Sequence, residues 1–112
     1  LPVEARKRLV DDLYAREPRV EAQIYTGLTG ELAERIGACA ILRGVRNTTD
    51  FEYERTMEAT NHRLCPSITT VMLFTPASVA DISSSTVREV LSFGRSVEEF
   101  LPEGIDIENY LK

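Results

Sequence analysis

Val3, Leu9, Val10, Leu13 and Tyr14 fall on one face of a helix over residues 3–16, since side chains three and four apart share a side. Pro2 suits the first turn of such a helix, where its missing N–H is no loss. In residues 20–25 (VEAQIY), Val20, Ala22 and Ile24 alternate with polar neighbours, which predicts a strand. A loop over residues 26–30 follows, then a short helix over 31–36 closed by Gly37. Residues 38–42 (ACAIL) form a continuous apolar run, the pattern of a parallel strand buried on both faces.

Beyond a loop over residues 43–49, Asp50 is placed to cap a helix on which Tyr53, Met57, Asn61 and Leu64 follow the helical period. Glu52 and Glu54 favour its positive end, and Pro66 marks the break after it. Residues 68–74 (ITTVMLF) predict the third strand, and a helix runs from Ser83–Ser84–Ser85 to about Phe93, before Gly94. Two helical pieces over 97–101 and 105–111 finish the chain. Strands alternating with helices imply a parallel sheet with helices on both faces, an α/β fold. Three strands fall short of the usual four to six, so a further strand is expected to belong to the sheet.

Length allows a single domain, 112 residues against roughly 100 to 200 for a typical one. With 43% hydrophobic and 28% charged residues the composition is that of an ordinary soluble globular protein. Thirteen Lys and Arg against eighteen Asp and Glu leave a net charge of -5, which argues against salt-driven binding to nucleic acid. Any bound anion must meet a local basic cluster. The runs ACAIL and VMLF are far shorter than the roughly 20 apolar residues of a membrane span, so no membrane association and a cytoplasmic location are expected. Cys39 and Cys65 lack zinc-site spacing and read as reduced thiols, and the one histidine, His62, cannot build a multi-histidine metal site. No metal-ligating residue is expected.

Ligands of open parallel sheets bind at the carboxyl ends of the strands, so the loops after Tyr25, Leu42 and Phe74 are expected to share a rim. After Leu42 the chain reads Arg43-Gly44-Val45-Arg46, two guanidiniums around a glycine that could clamp successive phosphates. The same arginines also read as surface partners of Asp50, Glu52 or Glu54. After Phe74, Ile82-Ser83-Ser84-Ser85 leads into a helix start, where free N–H groups, the dipole and hydroxyls favour an anion. Serines there are equally common as caps. Both signals on one rim point to a phosphate or nucleotide site. There is no Walker A loop and no G-x-G-x-x-G.

Three stretches go beyond generic chemistry. RGVRNTTDFEYE from Arg43, NHRL from Asn61 and ISSSTVRE from Ile82, in this order and separation, closely resemble phosphopantetheine adenylyltransferase, the bacterial coenzyme A biosynthetic enzyme. Phe100-Leu101-Pro102, Val3-Glu4-Ala5-Arg6 and Gly27-Leu28-Thr29 also fit, so the resemblance covers essentially the whole chain. It implies a Rossmann-like nucleotidyltransferase fold and transfer of an adenylyl group from ATP to 4'-phosphopantetheine, giving dephospho-coenzyme A and pyrophosphate. Magnesium would accompany ATP, coenzyme A or dephospho-coenzyme A would also bind, and the assembly would be a homohexamer.

By the same resemblance Thr29, Arg43 and Asn61 would hold phosphopantetheine. Gly44, Val45, Arg46, Glu54, Ile82, Ser83, Ser84 and Ser85 would hold ATP. The family's opening strand, with its H-x-G-H signature and a following phosphate-binding lysine, has no counterpart in this sequence. The chain opens at Leu1 without methionine, and the expectation is that the natural protein carries residues before it. No catalytic residue is therefore assigned, and His62 is not a substitute. The aromatic-Ser-aromatic triplet usual before ISSS is replaced by Val79-Ala80-Asp81, which adds an acid beside the phosphates. The other reading is a non-catalytic ATP or coenzyme A binder lacking the catalytic segment.

Overall fold

The computed structural model describes residues 1–111. In chain order the elements are α1 (Val3–Leu13), α2 (Thr29–Arg35), β1 (Ala40–Val45), α3 (Thr48–Leu64), β2 (Thr69–Phe74) and α4 (Ser84–Ser92). Short 3-10 turns lie at Ala77–Val79, Glu98–Phe100 and Ile107–Asn109. The chain divides into two compact units, Tyr25–Asp81 and a second made of Leu1–Ile24 with the chain from Ile82 onward.

In the Tyr25–Asp81 unit, β1 and β2 run parallel in a register from Ala40 opposite Thr69 to Val45 opposite Phe74. Parallel neighbours need a long crossover, and the 17 residues of α3 supply it. Ala33, Cys65 and Ile68 form the buried cluster, with Leu28, Ala38 and Ile41 packed against it. Gly37 stands just past α2 at φ +73, a left-handed end that other residues adopt at a cost. Leu42, Val71 and Leu73 remain exposed. They alternate with Ile41 and Arg43 on β1 and with Thr70 and Met72 on β2, and so belong to the opposite face of the sheet.

The α/β class with a parallel sheet is what the pattern predicts, but five expectations need correction. Residues 20–25 form no strand. A strand exists through its ladder, and among the described residues the sheet has only β1 and β2, so the alternation of Val20, Ala22 and Ile24 has no partner. The strand expected over 38–42 is instead Ala40–Val45, which puts Arg43, Gly44 and Val45 in the sheet rather than in a loop. Pairing with Leu73 and Phe74 carries β1 to Val45, and Thr75 N–H extends the pairing by donating to Val45 O at 2.8 Å.

The cap of α3 is Asn47, whose side chain accepts from Asp50 N–H at 2.8 Å. Asp50, expected as the cap, lies in the first turn. The inward stripe of α3 also differs. Of the expected positions Asn61 is buried and Met57 half-buried, but Tyr53 and Leu64 are each 61% exposed, and Glu54 and Cys65 are buried instead. A polar stripe faces the sheet because Arg43 and the Gly30 amide offer partners there, and hydropathy periodicity cannot register it.

The unit containing the termini holds α1 and α4. The helix expected to reach residue 16 ends at Leu13, and Glu17 N–H donates back to Tyr14 O at 2.9 Å in a turn before Pro18. Arg8 donates to Asn109 O at 2.8 Å and lies 5.3 Å from the Tyr110 ring centroid. Tyr110 in turn donates to Asp12 at 2.7 Å, so the last described turn is tied to α1. Helix α4 begins and ends where the sequence predicts, with Ser83 as its cap and Gly94 at φ +69 beyond it.

The two thiols differ sharply. Cys65 is 1% exposed, and burial first, then a hydrogen bond involving Glu34, pushes its thiol up from the ordinary value. Cys39 is exposed. A thiol reagent is expected to modify Cys39 in the native protein and Cys65 only on unfolding, as read by peptide mass mapping. Equal labelling of both would contradict the packing of Cys65.

Candidate functional site

Helix α3 turns Glu54, Met57, Glu58 and Asn61 toward β1, at positions i, i+3, i+4 and i+7 of one face. Together with Ile41 and Arg43 of β1, Thr70 of β2, Tyr53 and Thr29 they line a pocket of about 70 Å³. Three residues expected on the phosphopantetheine side, Thr29, Arg43 and Asn61, thus meet in one place, with Glu54 beside them. Sequence reasoning does not single out Met57, Glu58 or Thr70 as site residues. The i+3, i+4 spacing from Glu54 is the signal that could have found the two on α3.

Arg43 reaches across to Glu54 with both ends of its fork. Nε donates to Oε2 at 2.8 Å and Nη2 to Oε1 at 2.7 Å, the bidentate geometry that a planar guanidinium favours. Glu54 is 8% exposed, while the side chain of Arg43 is 45% exposed. The hydrogen bonds to Glu54 hold the Arg43 guanidinium above its already high ordinary value, so it stays charged. Asn61 is buried and spends its Oδ1 on the backbone N–H of Gly30 at 3.1 Å. That bond anchors the first turn of α2, where Thr29 stands.

At the end of β1, Arg46 donates through Nε to Asp50 Oδ2 at 2.9 Å, and its backbone N–H reaches the same oxygen at 3.2 Å. Both arginines of the RGxR stretch therefore have the acidic partners that its simpler reading expects. Gly44 is exposed on β1 beside buried Val45. The side-chain bonds from Arg46 first, and then its backbone N–H, hold the Asp50 carboxyl below the ordinary aspartate range.

Because the folded form is the more acidic, this pair contributes stability above the ordinary value near pH ~4 and loses it as pH falls through the lower folded value. Asp50→Asn is expected to flatten the acid-side decline in stability, measured as urea midpoints from pH 5 down to about 2. A decline unchanged by the substitution would show that the pair does not contribute.

The Ile82–Ser85 stretch belongs to the other unit and is described by itself. Ser83 Oγ accepts from Thr86 N–H at 3.1 Å and lies 3.0 Å from Thr86 Oγ1, so this hydroxyl serves as the cap of α4. Ser84 is exposed, and so is Ser85, which accepts from Arg88 at 3.3 Å. Ile82 is half-buried. His62 is exposed on α3. Among the described residues no group of three His, Cys, Asp or Glu could hold a metal ion, and no helix is long and apolar enough to cross a membrane.

No family model matches the chain. Known proteins do. The phosphopantetheine adenylyltransferase of Porphyromonas gingivalis is 44% identical over 105 residues, which is 94% of this chain and 68% of that protein. The enzyme of that name from Phocaeicola vulgatus is 43% identical over 107 residues, covering 96% of this chain and 70% of the relative. The chain belongs to the phosphopantetheine adenylyltransferase family. The Flavobacterium johnsoniae member is 42% identical over 106 residues, 95% of this chain and 69% of its own length. Membership in the adenylyltransferase family agrees with the resemblance carried by RGVR, NHRL and ISSS.

Proposed function

We propose that the protein transfers an adenylyl group from ATP to 4'-phosphopantetheine, releasing pyrophosphate and giving dephospho-coenzyme A. The observation that carries this reading is the meeting of Thr29, Arg43 and Asn61 at one pocket, in a chain that is 44% identical to a phosphopantetheine adenylyltransferase. An oxygen of the 4'-phosphate attacks the α-phosphorus of ATP. The new P–O bond forms as the bond to the bridging oxygen breaks, and pyrophosphate leaves with that electron pair. No covalent enzyme intermediate is needed, so the protein's work is to align two anions and offset their charge.

In this reading Arg43 faces the 4'-phosphate, and Thr29 and Asn61 line the pantetheine arm. Gly44, Val45 and Arg46 border ATP, and the start of α4, from Ile82 through Ser83, Ser84 and Ser85, receives its phosphates with the free N–H groups of the first turn. None of these is proposed to act as acid or base. Magnesium would enter with the ATP phosphates, where it would lower the charge repulsion between the two substrates. Dephospho-coenzyme A and coenzyme A would share the pantetheine pocket, and a homohexamer is the proposed assembly, to be read by light scattering.

The test is formation of dephospho-coenzyme A from ATP, magnesium and 4'-phosphopantetheine, followed by liquid chromatography, with calorimetry of each substrate beside it. Product formation supports the proposal. Binding without turnover moves the protein to the non-catalytic reading, and failure to bind either substrate ends both.

A further inference from the structure

We infer that Glu58 determines which phosphorylated arm the pocket accepts: its carboxylate takes a hydrogen bond from the hydroxyl or amide N–H of 4'-phosphopantetheine and disfavours an arm that carries a second anion. The inference rests on the proposed function and deepens it. Glu58 is half-buried on α3 and lines the same pocket as Thr29, Arg43 and Asn61. Arg43 is the one cation among the lining residues, and its fork is engaged by Glu54 at 2.8 and 2.7 Å. Among the described residues no group pairs with the Glu58 side chain by hydrogen bond or ion pair. No buried side-chain oxygen among them lacks a partner, so the Glu58 carboxylate is open to water at the pocket wall.

A carboxylate offers only acceptors. What it can take from a ligand is an N–H, an O–H or a cation, and 4'-phosphopantetheine carries no cation. Glu58 stands four residues beyond Glu54 and three before Asn61 on α3, about 6 Å along the helix axis from Glu54. An arm that starts with its phosphate at Arg43, beside Glu54, and runs toward Asn61 therefore passes Glu58. The hydroxyl and first amide of the arm follow the phosphate within a few bonds and reach that level. Asn61 Oδ1 is held by the Gly30 N–H at 3.1 Å, which leaves Glu58 as the charged acceptor without a partner among the described lining residues.

Two effects of this charge oppose each other. Like charges repel, so if the field of Glu58 were all that mattered, removing it would tighten every phosphorylated ligand. If Glu58 accepts from a neutral arm, removing the charge weakens that ligand and tightens only one whose arm bears an anion. Opposite signs for the two kinds of ligand are what the inference requires.

The experiment measures dissociation constants by calorimetry for the native protein, Glu58→Gln and Glu58→Ala, with circular dichroism to verify folding. The ligands are 4'-phosphopantetheine, ATP and 4'-phosphopantothenate, whose arm ends in a carboxylate where the second amide would begin. Glu58→Gln is expected to weaken 4'-phosphopantetheine about threefold, as a charge-assisted bond becomes a neutral one, and to tighten 4'-phosphopantothenate about tenfold. Glu58→Ala, which can accept nothing, is expected to weaken 4'-phosphopantetheine about tenfold and stands in should Glu58→Gln fold poorly. ATP, held at other residues in this reading, is expected to change by less than about twofold. Changes of the same sign in both arms, no change in either, or a matching change in ATP each overturn the inference. They leave the proposed function standing as long as the native protein binds 4'-phosphopantetheine. Native protein that binds neither arm removes the site itself, and the inference with it.

Discussion

Arg43→Ala is expected to weaken 4'-phosphopantetheine binding about a hundredfold, the scale on which a phosphate depends on a charge-assisted, two-pronged hydrogen bond. It is also expected to lower stability. The substitution strands the carboxylate of Glu54, which is 8% exposed, and removing one partner of a buried pair costs several kcal/mol. Solvent reaches this pair, since the Arg43 side chain is 45% exposed, so a loss of about 1–2 kcal/mol is the better expectation. The two effects separate in the double variant. Arg43→Ala with Glu54→Gln no longer holds an unpaired charge and is expected to regain most of the stability, while phosphopantetheine binding remains weak. Urea denaturation and calorimetry on the native protein and these two variants check this. A double variant that recovers both would mean that Arg43 matters for folding and not for phosphate.

The fate of RGVR shows which parts of the site are legible in the sequence. Arg43 and Arg46 stand out because two guanidiniums around a glycine are rare enough to notice, and their acidic partners Asp50 and Glu54 lie within reach on the next helix. Their setting does not. Hydropathy ends the strand at Leu42, where the apolar run stops, but backbone pairing with Leu73 and Phe74 continues through Arg43 and Gly44 to Val45.

The same blindness to partners explains the other errors. Residues 20–25 alternate as a strand should, and alternation says nothing of whether a neighbour is there to complete the ladder. Glu54 and Asn61 face inward because Arg43 and the Gly30 amide meet them, and those pairings span 11 and 31 residues of sequence. Helix ends marked by a capping serine or a left-handed glycine are easier to read. Ser83, Gly37 and Gly94 act through groups within a few residues of themselves, which is why local reading finds them. Long-range polar pairing places the site, and local pattern places the elements around it.

Gly30→Ala is expected to destabilise the protein by about 2–3 kcal/mol, against the direction helix propensity predicts. Gly30 is the second residue of α2, and alanine inside a helix is ordinarily better than glycine by up to about 1 kcal/mol. Here the added Cβ would stand 2.8 Å from Asn61 Oδ1, 3.0 Å from Cys65 Sγ and 3.3 Å from Cys65 Cβ. None of these atoms can swing away cheaply. Cys65 is 1% exposed within the cluster of Ala33 and Ile68, and Asn61 Oδ1 is held by the Gly30 N–H itself.

Relief therefore requires α2 to retreat from α3, which overpacks or opens the core, at about 1–3 kcal/mol, and stretches a buried hydrogen bond worth a similar amount. A fall in melting temperature of roughly 10 °C is the expected reading by circular dichroism. The retreat would also carry Thr29 away from Asn61, so phosphopantetheine affinity is expected to fall even at temperatures where Gly30→Ala is folded. A variant as stable as the native protein would show that α2 slides freely on α3. A destabilised variant with native affinity would show that the Gly30–Asn61 contact shapes the core without shaping the pocket.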